Sequence, residues 1–298
     1  MTLSVIIVSW NVKALLERCL DSVFQNTREL ETEVLVADNS SQDGSPEYLE
    51  ELAKSKKNLK VILNKRNLGF AQANNLARQQ AKGEFILFLN PDTEIIGDAC
   101  QKAIQAMKEN RDWGIIGSRL VDPDAKVQMS VKSFPSIKNQ LMLLLKLHYL
   151  FPKSGIVRDY FQKDRDYEKT DEVDQVAGAF MMTGKEIIKK VGSFDERFHL
   201  WFEDVDFCRR MKEAGYKVVY YPRAKVLHHG GESFSQLLSL KRQKIYNMSL
   251  LAYFKKYYSF FYYWPLVLAR PLSLLLARLS EIYSVSRKKQ IKKRLKLE

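Results

Sequence analysis

The chain has 298 residues, of which 46% are hydrophobic and 28% charged, a composition that is typical of a globular protein and excludes an intrinsically disordered one. This length suffices for one large domain or two small ones with a buried core. The formal net charge is +13, but residues 241–298 hold 14 Lys and Arg against two acidic residues, so nearly all of the excess lies there. That distribution argues against a uniformly basic nucleic-acid-binding protein and favours a segment that meets a membrane surface.

The three cysteines, Cys19, Cys100 and Cys208, are far apart and show neither metal-site spacing nor a disulfide framework. This fits a reducing compartment, and we expect a cytoplasmic protein that is peripheral on the cytoplasmic face of the cell membrane. The N-terminus enters an apolar run by Leu3 without a basic region or a small-residue cleavage site, so no signal peptide is predicted.

Short apolar runs alternate with segments of helical spacing along residues 1–118. The predicted strands cover 3–9, 33–37, 59–63, 84–89 and 113–118. The predicted helices cover 12–25, a segment opened by Ser45 and Pro46, 69–81 and 97–109. Strands that alternate with helices predict an α/β fold around a mostly parallel central sheet flanked by helices.

The pattern weakens over 119–174, where we expect a variable connection with a short helix. It returns at Gln175 and continues with two helices, one from about Lys185 and one over 203–214. Short strands are predicted over 217–221 and 225–228.

Polar side chains follow three of the predicted strands at the point where each strand ends. Ser9 and Asn11 follow the first strand, Asp38 ends the second, and Asn90 and Asp92 follow the fourth. Ligands bind at the carboxyl ends of the strands in such sheets, so these side chains are expected to line one site. Each residue alone could equally be a helix cap or a turn former, and their coincidence in one sheet favours a site.

Seven segments, in this order, resemble the motifs of family 2 glycosyltransferases, and within that family those of the rhamnosyltransferase-like branch. They are SVIIVSWN (4–11), VADNSSQDGS (36–45), NKRNLGFAQANN (64–75), FLNPDTEI (88–95), VAGAFMM (176–182), GSFDERFHLWFEDVDFCRR (192–210) and HHGGES (228–233). The resemblance implies a GT-A (Rossmann-like) fold and an inverting transfer of a sugar from a nucleotide-sugar donor. For this branch it implies dTDP-rhamnose as donor and a lipid-linked glycan of cell-surface polysaccharide assembly as acceptor.

The resemblance also divides the chain into three regions. We expect the nucleotide-sugar-binding half in 1–118, the acceptor-binding and catalytic half of the same GT-A domain in 119–240, and an aromatic and basic helical tail in 241–298.

Asn90-Pro91-Asp92 stands where many GT-A enzymes have Asp-x-Asp. Asp92 would give a carboxylate to Mg²⁺ or Mn²⁺, which prefer oxygen ligands and would neutralise the leaving diphosphate. Asn90 replaces the first aspartate, which removes one formal charge and predicts a modest metal affinity. The resemblance adds His228 as a second metal ligand, with His229 on the other side of its strand. A plain β-turn is the alternative, because Asn-Pro-Asp is a good turn sequence.

Donor-binding roles are implied by the same resemblance. Asp38 would accept hydrogen bonds from the base or ribose, with Ser9 and Asn11 beside it. The loop that contains Arg66 and Asn67 would cover the nucleotide. An Asx turn before the following helix is another explanation of Asp38, and both can hold at once.

Glu203 and Asp204 begin a predicted helix directly after aromatic residues. Apolar neighbours remove solvent from a carboxylate, raise its pKa and suit it to act as a general base. The resemblance gives this catalytic role to the second acid, Asp204. It places four residues around the acceptor, namely Gly178, Ala179, Trp201 and Glu203. Acidic residues also stabilise a helix N-terminus, so capping is the alternative function of the pair.

The tail combines aromatic, leucine-rich and basic segments. Nine aromatic residues lie within 253–264, and a Leu-rich stretch follows over 266–279. The longest uncharged run there, 257–269, has 13 residues, fewer than the about 20 that span a bilayer. The basic end, 287–296, would meet anionic headgroups. We predict an in-plane membrane anchor over 250–298, with packing on the body or homodimer formation as alternatives.

Other functions remain open from the sequence. One keeps the fold but uses a UDP-hexose donor, and another is a non-catalytic membrane-associated binding protein. A nucleic-acid binder that uses the basic tail is a further alternative, although we expect no nucleic-acid partner. A Rossmann dehydrogenase is disfavoured, because Ser9-Trp10-Asn11 follows the first strand where a glycine-rich turn would be needed.

Overall fold

The computed structural model describes residues 1–230 and 239–294, with residues 283–294 as backbone only. The chain forms two compact units. The first is built from Met1–Phe134 and the described residues from Phe161 to 230, and the second from Pro135–Tyr160 and 239–294. The sequence placed 135–160 with the catalytic half, whereas its helices group with the tail, so the second unit is discontinuous in the chain.

The first unit contains all of the described strands. They are β1 (Leu3–Ser9), β2 (Thr32–Asp38), β3 (Leu59–Leu63), β4 (Phe85–Leu89), β5 (Thr93–Ile95), β6 (Trp113–Val121), β7 (Val131–Lys132), β8 (Asp171–Glu172), β9 (Gln175–Val176), β10 (Phe180–Gly184) and β11 (Lys217–His228). Its helices are α1 (Lys13–Asn26), α2 (Ser45–Ser55), α3 (Phe70–Gln79), α4 (Ala99–Glu109), α8 (Lys185–Val191) and α9 (Glu203–Glu213). The remaining helices are α5 (Ile137–Leu144), α6 (Leu147–Leu150), α7 (Gly155–Phe161), α10 (Ser239–Tyr257) and α11 (Phe260–Arg294).

Nine of the described strands form one sheet, in the order β3-β2-β1-β4-β10-β6-β11-β5, with β8 paired to β11. The first four strands in this order are parallel to one another, as the sequence predicts. The sheet as a whole is mixed, because β10 lies antiparallel between β4 and β6 and β11 pairs antiparallel with β5 and β8. The expectation of a mostly parallel sheet came from the alternating strands of residues 1–118, and the later strands do not follow that alternation.

The two short strands predicted over 217–228 are one strand, β11, that is interrupted in its pairing. Its register against β6 shifts between Tyr221 and Lys225, on either side of Pro222. Proline has no N–H to donate to a sheet, so it is found at such irregular positions. Beyond the shift the strand continues to His228, and its last residues pair with β5.

Both faces of β1 are buried, as its continuous apolar sequence predicts. Val5 and Ile7 belong to the core on one face with Leu20 of α1, and Ile6 lies in the core of the opposite face with Ala73 of α3. Truncating one such aliphatic side chain to Ala costs about 2–5 kcal/mol. This double burial holds the carboxyl end of β1 in a fixed position.

In the second unit, α10 carries a line of buried polar contacts. Tyr246 Oη donates to Gln140 Oε1 at 2.5 Å, and Asn247 Nδ2 donates to Ser273 Oγ of α11 at 2.8 Å. Gln243 Nε2 donates to Asn247 Oδ1 at 2.9 Å. A buried polar group that loses its partner is costly, so these bonds fix one arrangement of the helices.

Helix α11 buries one face within its unit and exposes another. The buried positions are Leu266, Ala269, Ser273 and Ala277. The exposed positions follow a heptad-like spacing: Phe261, Leu268, Leu272, Leu275, Leu279 and Ile282. We call these six residues the apolar stripe.

The segment Phe260–Ile282 is long and apolar enough to cross a membrane, with a mean hydropathy of 1.3 over its best window. The sequence expectation that nothing here could span rested on a 13-residue uncharged run, and the helix continues through the charged residues that end that run.

Candidate active site

The carboxyl ends of β1 and β2 form the first part of the site. Ser9 lies opposite Asp38 in the parallel register, and both residues are buried. The Asp38 carboxylate accepts hydrogen bonds from Ser41 N at 2.8 Å and Ser41 Oγ at 2.6 Å. The backbone donor lies three residues after Asp38, whereas in an Asx turn it lies two residues after, so these bonds order the loop without forming that turn. A donor-binding role for Asp38 stays a prediction.

The loops after these strands are held in an unusual conformation. Asn11 has φ 53° and Ser40 has φ 62°, so two non-glycine residues occupy the left-handed region. Asn11 N donates to Ser41 Oγ at 2.9 Å, and Asn11 Oδ1 accepts from Gln42 N at 2.7 Å. These bonds join the loops that follow β1 and β2. We call the joined residues, 9–11 and 38–42, the ledge. Backbone strain of this kind concentrates at functional sites.

The loop that carries Arg66 and Asn67 is attached to the same ledge. Asn39 Oδ1 accepts from Asn64 Nδ2 at 2.9 Å, and Asn39 Nδ2 donates to Gly69 O at 3.2 Å. Asn67 Oδ1 accepts from Gly69 N at 2.9 Å, while the Arg66 side chain is exposed. The anchor Asn39 was not singled out from the sequence, although it lies within a motif that was.

Asn90 and the 178–179 segment lie side by side. Asn90 N donates to Ala179 O at 3.0 Å, and Gly178 N donates to Asp204 Oδ2 at 3.2 Å. A Cβ on Gly178 would lie 3.6 Å from Asp204 Cβ, so this backbone passes close to the acid. The structure thereby brings the predicted donor motif, the small-residue segment and the predicted base into one continuous region.

Asp92 and His228 meet across the pairing of β5 with β11. His228 lies opposite Thr93 in that register, and His229 N donates to Asp92 O at 2.9 Å. His228 Nε2 is 3.5 Å from Asp92 Oδ1, and the Asp92 residue is 5% exposed. His229 points elsewhere, with Nε2 2.7 Å from Glu94 Oε1.

Gln128 contacts His228 twice. Its Oε1 is 2.6 Å from His228 Nδ1, and its Nε2 donates to His228 O at 2.8 Å. Gln128 N in turn donates to Leu120 O of β6 at 2.9 Å. Nothing in the sequence pointed to Gln128, because a lone glutamine 100 residues before its partner has no motif around it.

The spacing of Asp92 and His228 fits two ligands of one cation. Ligand atoms lie about 2.0–2.2 Å from such ions, so two ligands of one ion are about 3–3.5 Å apart. Within 1–230 and 239–282, no group of three or more His, Cys, Asp or Glu side chains is arranged to hold a metal. Asp92 and His228 are thus two candidate ligands, and a Mg²⁺ or Mn²⁺ ion held by them would need further oxygen ligands from outside this pair.

Glu203 and Asp204 differ in their surroundings. Burial, and then the neighbouring Asp204 charge, raises the pKa of Glu203 well above its ordinary value. Burial also raises the pKa of Asp204, but N–H donors from Val205 and Gly178 and the charge of Lys132 oppose the rise. Val205 N donates to Asp204 Oδ1 at 2.8 Å. The pKa of Glu203 is therefore raised well above its ordinary value, whereas the rise in the pKa of Asp204 is opposed by several contacts.

Lys132 is the second residue that the sequence did not reveal. Burial lowers the pKa of its ammonium group, and the Asp204 carboxylate opposes that change. Its Nζ lies 5.7 Å from the centroid of the Phe161 ring. β7, which carries Lys132, pairs with β9 just before the 178–179 segment, and this pairing brings the cation towards the acid pair.

Trp201 and Phe202, directly before α9, are both left-handed, with φ 63° and 69°. Two consecutive non-glycine residues in this region are costly and persist only where surrounding packing enforces them. Phe202 is buried, and Phe70 N donates to His199 O at 3.0 Å. The turn sets the direction in which Glu203 and Asp204 enter the helix.

Residues 4–192 match the sequence model described as "Glycosyl transferase family 2", and residues 148–287 match "Glycosyl transferase family group 2". The chain belongs to glycosyl transferase family 2. The match covers the ledge, Asn90, Asp92 and the 178–179 segment. The rhamnosyltransferase-like character inferred from the motifs is confirmed by the relatives of this family 2 enzyme.

A family 2 relative from Mycobacterium tuberculosis, "N-acetylglucosaminyl-diphospho-decaprenol L-rhamnosyltransferase", is 29% identical over 242 residues, which are 78% of this chain and 77% of the relative. The "Rhamnosyltransferase WbbL" of Escherichia coli is 28% identical over 178 residues, 56% of this chain and 64% of the relative. The chain covers only 18% of the "O-antigen biosynthesis protein RfbC" of Myxococcus xanthus, at 26% identity.

Solved structures confirm the GT-A fold. "Mannosyltransferase PcManGT from Pyrobaculum calidifontis in complex with GDP-Man and Mn2+" has a TM-score of 0.58 at 15% identity, over 95% of this chain and 75% of that one. GalNAc-T7 "with UDP, GalNAc and Mn2+" has a TM-score of 0.59 at 20% identity, over 76% of this chain and 43% of that one. At these identities the likeness concerns the fold.

Proposed function

We propose that this family 2 glycosyltransferase is an inverting, metal-dependent rhamnosyltransferase that moves a sugar from dTDP-rhamnose to a hydroxyl of a lipid-linked glycan in cell-surface polysaccharide assembly. The observation that carries the proposal is the continuity of the site, in which Asn90 contacts Ala179, and Gly178 contacts Asp204. A donor held at the ledge and an acceptor beside Asp204 would therefore meet. The names of the mycobacterial and Escherichia coli relatives support rhamnose and a lipid diphosphate acceptor.

Asp204 would act as the general base. Burial raises its pKa towards that of a useful proton acceptor, while backbone N–H donors and the Lys132 charge favour its carboxylate form. Asp204 would take the proton of the acceptor hydroxyl as the oxygen attacks the anomeric carbon from the face opposite the diphosphate. Glu203, kept protonated by burial, could donate a hydrogen bond to the acceptor without adding a second negative charge.

Asp92 and His228 would hold a divalent cation at the diphosphate, with Asn90 beside them. Such an ion neutralises charge on the leaving group. The His228 imidazole favours Mn²⁺ over Mg²⁺, because nitrogen ligands suit transition ions better than Mg²⁺. Asp38, Ser9, Asn11 and the loop of Arg66 and Asn67 would position the nucleotide, which supplies rate through orientation. Trp201 and Gly178 would flank the acceptor.

A bilayer surface would bring the enzyme to its acceptor. The apolar stripe of α11 is exposed on one face, and residues 241–298 add 14 basic residues that attract anionic lipids. An in-plane position is supported by the opposite face, where Ser273 and Ala277 are buried within the protein unit. We propose that the stripe lies in the headgroup region, so that the protein is peripheral on the cytoplasmic face.

The test is donor use by Asp204→Asn. This change keeps the size of the side chain and removes the proton acceptor. The amide has a single acceptor oxygen, so it keeps one of the two contacts with Gly178 N and Val205 N. We expect kcat to fall at least about a hundredfold while dTDP binding stays within about twofold, since general bases contribute 10²–10⁴. Asp195→Asn, in the turn before α9 and paired with the exposed Arg197, is the matched control and should retain its rate.

A panel of dTDP-rhamnose and UDP-hexoses, with a polyprenyl-diphosphate-linked sugar as acceptor, separates the proposal from its rivals. If only a UDP-hexose is turned over, the protein is a glycosyltransferase that uses this donor instead of dTDP-rhamnose. Unchanged function of Asp204→Asn would instead indicate a non-catalytic binding protein.

A further inference from the structure

We infer that Gln128 is a positioning residue that sets the tautomer and orientation of His228 and thereby presents Nε2 to the cation. This inference rests on the metal site proposed above. It concerns a residue outside every motif and adds a requirement that the two ligands alone do not explain.

The chemistry of the two contacts fixes the direction of the Gln128 amide. The backbone oxygen of His228 can only accept a hydrogen bond, so the amide atom 2.8 Å from it must be the NH₂ group. The other end of the amide, 2.6 Å from His228 Nδ1, is therefore the carbonyl oxygen. That oxygen can only accept, so Nδ1 must carry the proton.

A neutral imidazole with a proton on Nδ1 has its lone pair on Nε2. This is the nitrogen that lies 3.5 Å from Asp92 Oδ1. The distance is at the outer limit for a hydrogen bond, whereas it matches two ligands of one ion. The unprotonated nitrogen and the carboxylate oxygen thus face a common point where a cation satisfies both.

Gln128 is itself held by the fold. Its backbone N–H donates to Leu120 O at 2.9 Å, and Leu120 lies opposite Val226 in the pairing of β6 with β11. The two contacts of Gln128 with His228, which we call the clamp, therefore connect β11 to the residues that follow β6. They hold both the ring and the backbone of His228. Partners that orient a metal-bound histidine typically change metal affinity by about 10–100-fold.

The first test is Mn²⁺ binding by the full-length protein with dTDP present. Binding is measured by electron paramagnetic resonance of the free Mn²⁺. Gln128→Leu preserves the side-chain volume and removes both hydrogen bonds. We expect its affinity for Mn²⁺ to fall about 10–100-fold, with an unchanged melting temperature as the sign that folding is intact. Gln105→Leu, on α4 and bonded to Glu109, is the matched control and should bind Mn²⁺ as the wild type does.

A double-mutant cycle with His228→Ala separates the clamp from a general structural effect. Gln128→Leu should cause no further loss of Mn²⁺ affinity once His228 is absent, and an additional loss in that background would overturn the inference. If the wild type binds no Mn²⁺, both the proposed metal site and the proposed role of Gln128 are rejected. Absence of rhamnosyl transfer with Mn²⁺ binding intact would instead reject only the proposed substrate.

A second measurement needs no metal. The ¹⁵N shifts of His228 in the metal-free protein, at mildly alkaline pH, should show a protonated Nδ1 and an unprotonated Nε2. Gln128→Leu should allow the opposite tautomer to become populated. A wild-type signal with the proton on Nε2 would contradict the assignment even if both variants fold.

Discussion

At the residue scale, the acid pair that opens α9 is divided by its surroundings. Glu203 is 6% exposed, and its Oε2 has no hydrogen-bond partner among residues 1–230 and 239–282. Asp204 receives two backbone N–H donors. Two adjacent carboxyl groups whose surroundings shift their pKa values to different extents can take separate roles, one as acid-like donor and one as base.

Glu203→Gln should make the protein relatively more stable as the pH rises from acid to neutral. The folded state keeps the Glu203 proton above the ordinary pKa of 4.5, whereas the unfolded chain releases it. The wild type therefore loses about 1.4 kcal/mol of stability per pH unit over this interval. Gln cannot ionise and escapes that loss.

Calorimetric melting temperatures of both proteins at about pH 5 and about pH 7 give the measurement. Glu186→Gln is the control, because its exposed carboxylate pairs with Lys189 and has a lowered pKa, so no such rise is expected. An equal difference between Glu203→Gln and the wild type at both pH values would show that Glu203 ionises normally.

Lys132→Met should move the acid limb of the kcat/KM profile to higher pH. Burial raises the pKa of Asp204 and the Lys132 charge opposes that rise, so removing the charge leaves only the backbone N–H donors to oppose it. The base would then be protonated over a wider acid range. The profile is measured at fixed Mn²⁺, with Lys102→Met, an exposed partner of Asp98, as control. An unchanged pH profile would show that the Lys132 charge does not influence Asp204.

The sequence identified Asp92, Asp204 and His228 because each lies in a short motif with a chemical meaning. Gln128 and Lys132 carry no such motif, and their roles arise only from strand pairings that bring distant segments together.

At the element scale, apolar runs predicted β1, β2 and β4 to within a few residues, because each of these strands is buried on both faces. The direction of a strand is not encoded in such a run. The antiparallel β10 therefore had to come from the structure, although its sequence, Phe180–Gly184, lies in a recognised motif. β5 was likewise not predicted from the sequence, because its three residues are too few to show a period.

The apolar stripe of α11 gives a prediction at this scale. Leu268→Gln, Leu272→Gln and Leu275→Gln together should weaken binding to phosphatidylglycerol-containing vesicles at least about tenfold, because a buried Leu contributes about 1.5–3 kcal/mol. The three side chains are exposed, so the fold should not depend on them. Co-sedimentation with vesicles measures the effect.

A matched triple change on the first unit, Leu63→Gln, Ile96→Gln and Met129→Gln, alters equally exposed apolar residues and should leave vesicle binding unchanged. Equal binding by the stripe variant and the wild type would reject the anchor. Alkaline carbonate separates the two membrane arrangements, since it releases an in-plane helix and leaves a spanning one in the pellet.

At the scale of the whole molecule, the second unit is assembled from two parts of the chain. Its early part, 135–160, was predicted as a variable connection because its periodicity is weak. Helix α5 has a full capping box, in which Ser136 and Asn139 exchange hydrogen bonds. Its buried Gln140 also accepts a hydrogen bond from Tyr246 of α10. Local signals start this helix, and distant ones complete it.

Deleting residues 241–298 should therefore expose 135–160 to proteolysis. The deletion removes Tyr246 and Gln243, which bond Gln140 and Lys146. Trypsin should cut after Lys146, Lys153 and Arg158 faster than in the full-length protein, as followed by mass spectrometry. Cleavage after Lys102, in the first unit, serves as the reference and should keep its rate. Equal rates at all four sites would show that 135–160 is stable alone.

The split second unit also has a consequence during synthesis on the ribosome. Gln140 is made 106 residues before Tyr246, an interval of about 5–20 s at ordinary translation rates. Throughout that time the nascent α5 lacks the helices that cover it, while the last four described strands of the first unit, β8 to β11, are made. We therefore expect the early segment to be the part of the newly made chain that a chaperone protects, until the last helix leaves the exit tunnel.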